Sequence, residues 1–188
     1  MTLYQELLEK EWFRELLLRI EKDLAQECQK KGCRCRGKLH KAYYARKPRG
    51  GPWDLKRPDN YRLSYCCDQE GCRRRCLPPS VLFMSRRVYL SVIVVLVTAL
   101  RQGATPRSQS KLKAWVGADL RTLRRWRKWW QEEFPESSFW RGIRGLFSGE
   151  IAGRDLPLVL LERFEGRSAE ERIVQLLRVL APLGGHAQ

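Results

Sequence analysis

A mainly α-helical fold with one small β module set into it is what this sequence predicts. Three observations point there. Apolar residues recur at three- and four-residue steps near the start and again through the second half. The stretch 33–79 has no helical period and is rich in Cys, Gly, Pro, Lys and Arg. At 188 residues with 43% hydrophobic content, the chain can bury a real core as one domain or two small ones. Four segments are expected: an N-terminal amphipathic helix (1–32), the cysteine-bearing module (33–79), a core helix with a helix pair (80–135), and C-terminal helices (136–188).

The first helix rests on Leu3, Leu7, Leu8, Trp12, Leu16, Ile20 and Leu24, which share one face. Thr2 with Gln5 forms a capping box, and Gly32 is the stop. The face is expected to pack on the rest of the domain rather than to form a coiled-coil seam. Within 33–79, Arg46 to Pro52 and Arg57-Pro58-Asp59-Asn60 read as loops, while Tyr61 to Cys66 alternates as a short strand would. Val88 to Leu100 is apolar, but its thirteen residues fall short of the ~20 that a membrane span needs. A buried core helix is expected there, and no membrane partner.

Thr105-Pro106 then supplies an N-cap and a first-turn proline. A helix to about Trp115 follows, then the turn Val116-Gly117-Ala118, then a helix from Asp119 to about Phe134, ended by Pro135. Helices around Phe139–Phe147, Pro157–Phe164 and Ser168–Leu180 complete the chain, the last opened by a Ser168/Glu171 capping box.

Charge is distributed unevenly. The formal net charge is +16, of which +9 lies in residues 33–76 and +6 in residues 101–134. The N-terminal helix and the C-terminal tail are close to neutral. Concentration of this kind points to a polyanionic partner rather than to a generic solvated surface.

Seven cysteines with no secretory leader suggest reduced thiols in a cytosolic protein, associated with the nucleoid if the polyanion is DNA. Five of the seven form two clusters: Cys33 and Cys35, then Cys66, Cys67 and Cys72. The segment between them has too little apolar sequence to fold alone, and paired thiols in a basic intracellular chain are usually stapled by Zn2+. Cys33, Cys35, Cys67 and Cys72 are the expected ligands of a zinc ribbon. Only one residue separates the first pair, where two are common, so Cys28, Cys66, Cys76 and His40 stay open as alternatives for the fourth position. The metal is expected to be structural, because Asp68 and Glu70 are the only acids near enough in sequence to act as a base.

Residues 105–130 have the layout of a helix-turn-helix: a short helix, a Gly-containing turn and a basic helix. Leu123, Trp126 and Trp130 should face the core, leaving Arg121, Thr122, Arg124, Arg125 and Lys128 outward. Arginines on the exposed first turns of a helix suit the DNA major groove, where they can pair with guanine or hold phosphate. Arg46, Lys47 and Arg49 are candidate backbone contacts. Their Lys-Pro-Arg-Gly setting resembles the AT-hook core, with Gly51 where a second arginine would stand.

The order of parts resembles the N-terminal half of bacterial insertion-sequence transposases. The resemblance is carried by Cys33–His40, Tyr65-Cys66-Cys67, Cys72-Arg73-Arg74-Arg75, Pro78-Pro79-Ser80-Val81, an apolar helix and the helix-turn-helix, spanning roughly 33–134. It implies recognition of DNA ends of a mobile element, with a transposase or a second copy of the chain as further partners. The 54 residues after 134 carry Asp155 and six glutamates in helical sequence and cannot form the family's catalytic domain. The expectation is therefore a double-stranded DNA-binding protein without catalysis of its own. An RNA-binding zinc-ribbon protein and a Trp-rich protein-interaction scaffold are the rivals.

Overall fold

The computed structural model describes residues 6–7, 10–45, 61–84, 120–147, 149–164 and 168–185. The expected core helix 88–100, the first helix and turn of the helix-turn-helix, the Thr2/Gln5 cap, and Arg46, Lys47 and Arg49 lie outside the described residues.

The fold is mainly helical with a small antiparallel sheet. Glu6 and Leu7 are helical, but Lys10 is extended, so the single helix expected over 1–32 is interrupted there and helix α1 (Glu11–Lys31) starts after the break. Its buried face is Phe13, Leu17, Ile20, Glu21 and Ala25, with Leu24 half-buried. The expected stripe holds at Leu7 and Ile20, but Trp12 is 46% exposed and Leu16 only half-buried, because Phe13 and Leu17 take the places facing the core between them. Gly32 ends the helix at φ 73, a left-handed turn open to glycine at no steric cost.

Among the described residues five short strands follow: β1 (Leu39–Lys41), β2 (Tyr44–Ala45), β3 (Tyr61–Arg62), β4 (Tyr65–Cys67) and β5 (Arg75–Cys76). One sheet has the order β1-β4-β5, with Leu39 opposite Cys67 and Tyr65 opposite Cys76; the other pairs β2 with β3. The single strand expected from Tyr61 to Cys66 is thus two, divided at Leu63-Ser64 so that each half joins a different sheet. At the division, the Ser64 hydroxyl donates to the Ala42 carbonyl.

Helix α2 (Leu120–Lys128) continues through a π-helical turn, Trp129–Glu133, into the single turn α3 (Phe134–Glu136). Pro135 has no N–H for the Gln131 carbonyl, and its ring would strike that carbonyl in a regular α-helix. The wider turn, in which the Phe134 N–H reaches the Trp129 carbonyl, carries the helical path past the proline rather than ending there. It also brings Phe134 onto Trp130, with ring centroids 4.7 Å apart. Helices α4 (Ser138–Ile143), α5 (Leu158–Glu162) and α6 (Ala169–Leu180) follow, and 3-10 turns lie at Arg144–Leu146, Gly153–Asp155 and Ala181–Gly184. The Ser168/Glu171 capping box forms as its spacing predicts.

The described residues form two apolar clusters. The larger joins α1, Val81–Met84 and the helices from α2 to α6 around Trp126, Trp130, Phe134, Leu160 and Leu176. The smaller consists of Ala25, Cys33, Leu39, Tyr65, Cys67 and Cys76. Helix α1 contributes Ile20 to the first and Ala25 to the second, so it is the beam on which both rest. Between them lies a buried polar knot. Arg62 and Glu21, 1% and 2% exposed, pair at 3.1 Å, and Arg62 also donates to the Pro78 and Gly184 carbonyls at 2.6 Å each. Glu21 accepts from the Ser80 hydroxyl and the Val81 amide as well. No helix among the described residues is long and apolar enough to cross a membrane.

Candidate metal centre

The geometry of the thiols follows from two tight loops that close in the same way. In the first, which leaves α1 through Gly32, the Arg36 amide donates to the Cys33 carbonyl at 2.8 Å and the Cys33 amide to the Gly37 carbonyl at 3.2 Å. In the second, which leaves β4, the Cys72 and Arg73 amides both donate to the Gln69 carbonyl, at 3.1 and 3.2 Å. Arg36 and Arg73, each directly after the second thiol of its loop, are left-handed at φ 68 and 42. That backbone turn reverses the chain and leaves both thiols of each loop pointing the same way. Pairing of β1 with β4, extended by the Asp68 amide on the Lys38 carbonyl, sets one loop against the other.

The result is a four-sulfur cluster. The Sγ atoms of Cys33, Cys35, Cys67 and Cys72 all lie within 4.8 Å of one another, with Cys33–Cys72 at 3.7 Å and Cys35–Cys67 at 3.4 Å. Metal–sulfur bonds of ~2.3 Å in a tetrahedron put sulfurs ~3.8 Å apart, so this donor set fits one tetrahedral ion. The single-residue spacing of Cys33 and Cys35 is accommodated because Gly37 lets the first loop press on the second. A Cβ on Gly37 would stand 2.5 Å from the Cys67 Sγ and 2.9 Å from the Gln69 Cβ.

The loop backbone favours thiolate at one end of the cluster and burial opposes it at the other. The Cys35 N–H aimed at the Cys33 sulfur lowers that thiol to about 7. Cys67, 1% exposed, is pushed up to about 12 by desolvation, although the Gln69 amide donates to its sulfur at 3.4 Å. A cation among the four would supply the missing charge and displace the protons.

The open alternatives for the fourth ligand have other partners. Strand alternation turns Cys66 away from Tyr65 and Cys67, and its thiol meets the Arg73 carbonyl at 3.4 Å. His40 sits 3.2 Å from Asp68 Oδ2 and holds that carboxyl below its usual range. Cys28 and Cys76 face each other, Sγ to Sγ at 2.9 Å.

Around the cluster the loops carry exposed cations: Arg34, Arg36 and Lys38 on the first, Arg73, Arg74 and Arg75 on the second. Asp68 and Glu70 are the exposed acids beside them. Arg62, one of the basic residues of this segment, is withdrawn into the buried pair with Glu21. Sequence reasoning missed that pair, although a glutamate four residues after Leu17 on the apolar stripe was its signal.

No protein-family model, curated protein or solved structure matches this chain.

The basic helix α2 presents Arg121, Arg124, Arg125 and Lys128 to solvent and Leu123 and Trp126 to the core, and the π-helical turn adds Trp130 to the core, as the periodicity predicts. Thr122 is a correction. It is 3% exposed, and its hydroxyl accepts from Arg125 Nη2 at 3.2 Å, because position 122 adjoins Leu123 and Trp126 on the inward side. Arg127, which the outward set omitted, is exposed and donates to Gln131 Oε1 at 3.2 Å. Lys128 reaches Glu132 at 3.7 Å.

Proposed function

We propose that this protein is a zinc-stabilised DNA-binding protein that performs no chemistry itself. The observation that carries the reading is the set of six exposed cations on and beside the two thiol loops, where Asp68 and Glu70 are the exposed acids among the described residues. One ion held by Cys33, Cys35, Cys67 and Cys72 would fix both loops, and with them the spacing of those six charges. Zinc suits four thiolates in a tetrahedron better than the oxygen-seeking cations do, and four protein ligands leave no open position for a substrate.

Helix α2 adds a second cationic surface, with Arg121, Arg124 and Arg125 exposed along it. That placement is apt for the major groove of duplex DNA, while the thiol loops hold phosphate. An accessory role beside a transposase, as the order of parts implies, is compatible with such a surface.

Fluorescence anisotropy on labelled duplex DNA over a series of salt concentrations tests the reading. Arg124→Ala with Arg125→Ala should weaken binding about tenfold or more, with the helical circular dichroism unchanged. The salt dependence should flatten by ~0.9 for each phosphate no longer neutralised. Unaltered affinity in this variant would remove α2 from the interface. Cleavage of DNA with magnesium or manganese would overturn the non-catalytic reading.

A second reading, RNA, is favoured by one feature. The groove between α1 and the ribbon, about 530 Å3, is lined by Lys22, Lys30, Lys41 and the half-exposed Tyr43, and no carboxylate. Lysines beside an accessible ring suit an unpaired base and its phosphate. Direct competition between duplex DNA and single-stranded RNA separates the two readings.

A further inference from the structure

Cys28, on the last turns of α1, and Cys76, on β5, stand outside the four-sulfur cluster and face each other at 2.9 Å. Ordinary non-bonded contact between carbon atoms is ~3.5–4.0 Å, and sulfur is larger. The pair is also much closer than the ~3.8 Å that two sulfurs keep across a tetrahedral metal. The separation is therefore too short for two thiols at rest and too short for a shared ion. It lies within about 1 Å of the ~2.05 Å of a covalent bond.

Surroundings support a covalent reading. Cys76 is buried and Cys28 half-buried. Both open on a cavity of about 250 Å3, lined largely by apolar side chains that include Leu24, Leu77, Pro79 and Pro182. A cavity of that size admits a small neutral oxidant.

We propose that Cys28 and Cys76 form a second, metal-independent staple: an oxidisable dithiol that closes to a disulfide and ties α1 to β5. With a hydroperoxide as oxidant, the more accessible sulfur, that of Cys28, attacks the O–O bond, giving a sulfenic acid and water (or an alcohol). The Cys76 sulfur then displaces hydroxide from that sulfenic sulfur. An S–S bond forms, the S–O bond breaks, a second water leaves, and the two electrons given up by the sulfurs reduce the peroxide. Burial, with Cys76 close by, raises the Cys28 thiol to about 12. It is thus a poor nucleophile at neutral pH, so closure is slow and speeds up in base. The device is a durable crosslink rather than a fast sensor. Because it spans 48 residues of chain, from the helical beam to the ribbon's last strand, it restricts the unfolded state substantially.

The test uses the zinc-loaded full-length protein treated with hydrogen peroxide at about pH 8.5, near the ordinary thiol range, read by native mass spectrometry and peptide mapping. The expected product is lighter by two hydrogens, retains its zinc, and yields a Cys28–Cys76 crosslinked peptide. Its melting temperature should rise by roughly 10 °C and fall back on reduction. Cys28→Ser and Cys76→Ser should each abolish the crosslink and the rise while keeping the zinc. A crosslink joining any of Cys33, Cys35, Cys67 and Cys72 with release of zinc would overturn the proposal. So would Cys28 and Cys76 remaining alkylatable as free thiols after prolonged exposure. Protein that holds no zinc yet forms the Cys28–Cys76 crosslink would leave this inference standing and sink the metal reading instead.

Discussion

Arg62 is the residue on which the junction of the cysteine-bearing sheet and the helices turns. Its guanidinium is enclosed almost completely, and its partners come from α1, the Pro78 turn and the C-terminal 3-10 turn. Such a pair does not by itself make a protein stable, because desolvation offsets much of the attraction; what is costly is to remove one member. Arg62→Met would strand Glu21, whose carboxyl burial already pushes up from its usual value, among the Ser80 hydroxyl and backbone amides. A loss of ~3–5 kcal/mol is expected for Arg62→Met in urea unfolding. Glu21→Leu with Arg62→Met should lose less than the two single losses combined, since neither charge is then left alone. Additive losses would show that the pair is not coupled. At Gly37 the expected effect is on the metal and not on global stability. Gly37→Ala drives a methyl against Cys67 Sγ, so competition with a chromophoric chelator should show zinc held at least tenfold more weakly.

Elements are legible in the sequence to different depths, and physics explains the difference. Helix α6 is readable because its signals are local: Ser168 and Glu171 three residues apart, and Ile173, Leu176, Leu177 and Leu180 on one face. Ser168→Ala should cost ~0.5–2 kcal/mol, seen as a lower thermal midpoint, and Ser168→Asn should restore most of it. The grouping of the four thiols is readable for a similar reason, since each cysteine pair is a property of one short loop. On α1 the sequence places Ile20 correctly but takes Trp12 and Leu16 where the core takes Phe13 and Leu17, because these neighbours are equally apolar. What the sequence cannot show are pairings across long separations: Glu21 with Arg62, Cys28 with Cys76, and the division of 61–67 between two sheets. Nothing in a local pattern distinguishes an arginine that will be buried from its solvated neighbours. For Thr122 the misreading comes from polarity. A threonine beside arginines looks like part of the cationic face, yet it lies on the side of α2 that meets the core.

At the scale of the whole molecule, the two clusters depend on metal to unequal extents. Among the described residues the helical cluster buries 22 side chains, including Trp126, Trp130, Phe134 and Trp140. That is ample apolar area to drive folding at ~25 cal/mol per Å2. The smaller cluster buries six, three of them cysteines, and two of those three belong to the four-sulfur site. Without an ion, Cys33 and Cys67 lack the interaction that offsets bringing four sulfurs together, and little else remains to hold loops whose charges repel. Chelation should therefore unfold the cysteine-bearing sheet and spare the helices. Far-ultraviolet circular dichroism should keep most of its helical intensity, while hydrogen exchange in 33–45 and 61–76 rises sharply and that in 120–147 and 168–185 does not. The proposed affinity for DNA should fall together with protection of the sheet, because the six loop cations then lose their fixed spacing. Acid should have the same effect as chelator, since protons compete for the thiolates and the affinity for a thiolate-bound metal drops as pH falls. Helices melting at the same chelator concentration as the sheet would mean that the Glu21–Arg62 junction couples the two clusters into one cooperative unit. In that case the metal would be a folding requirement of the entire chain.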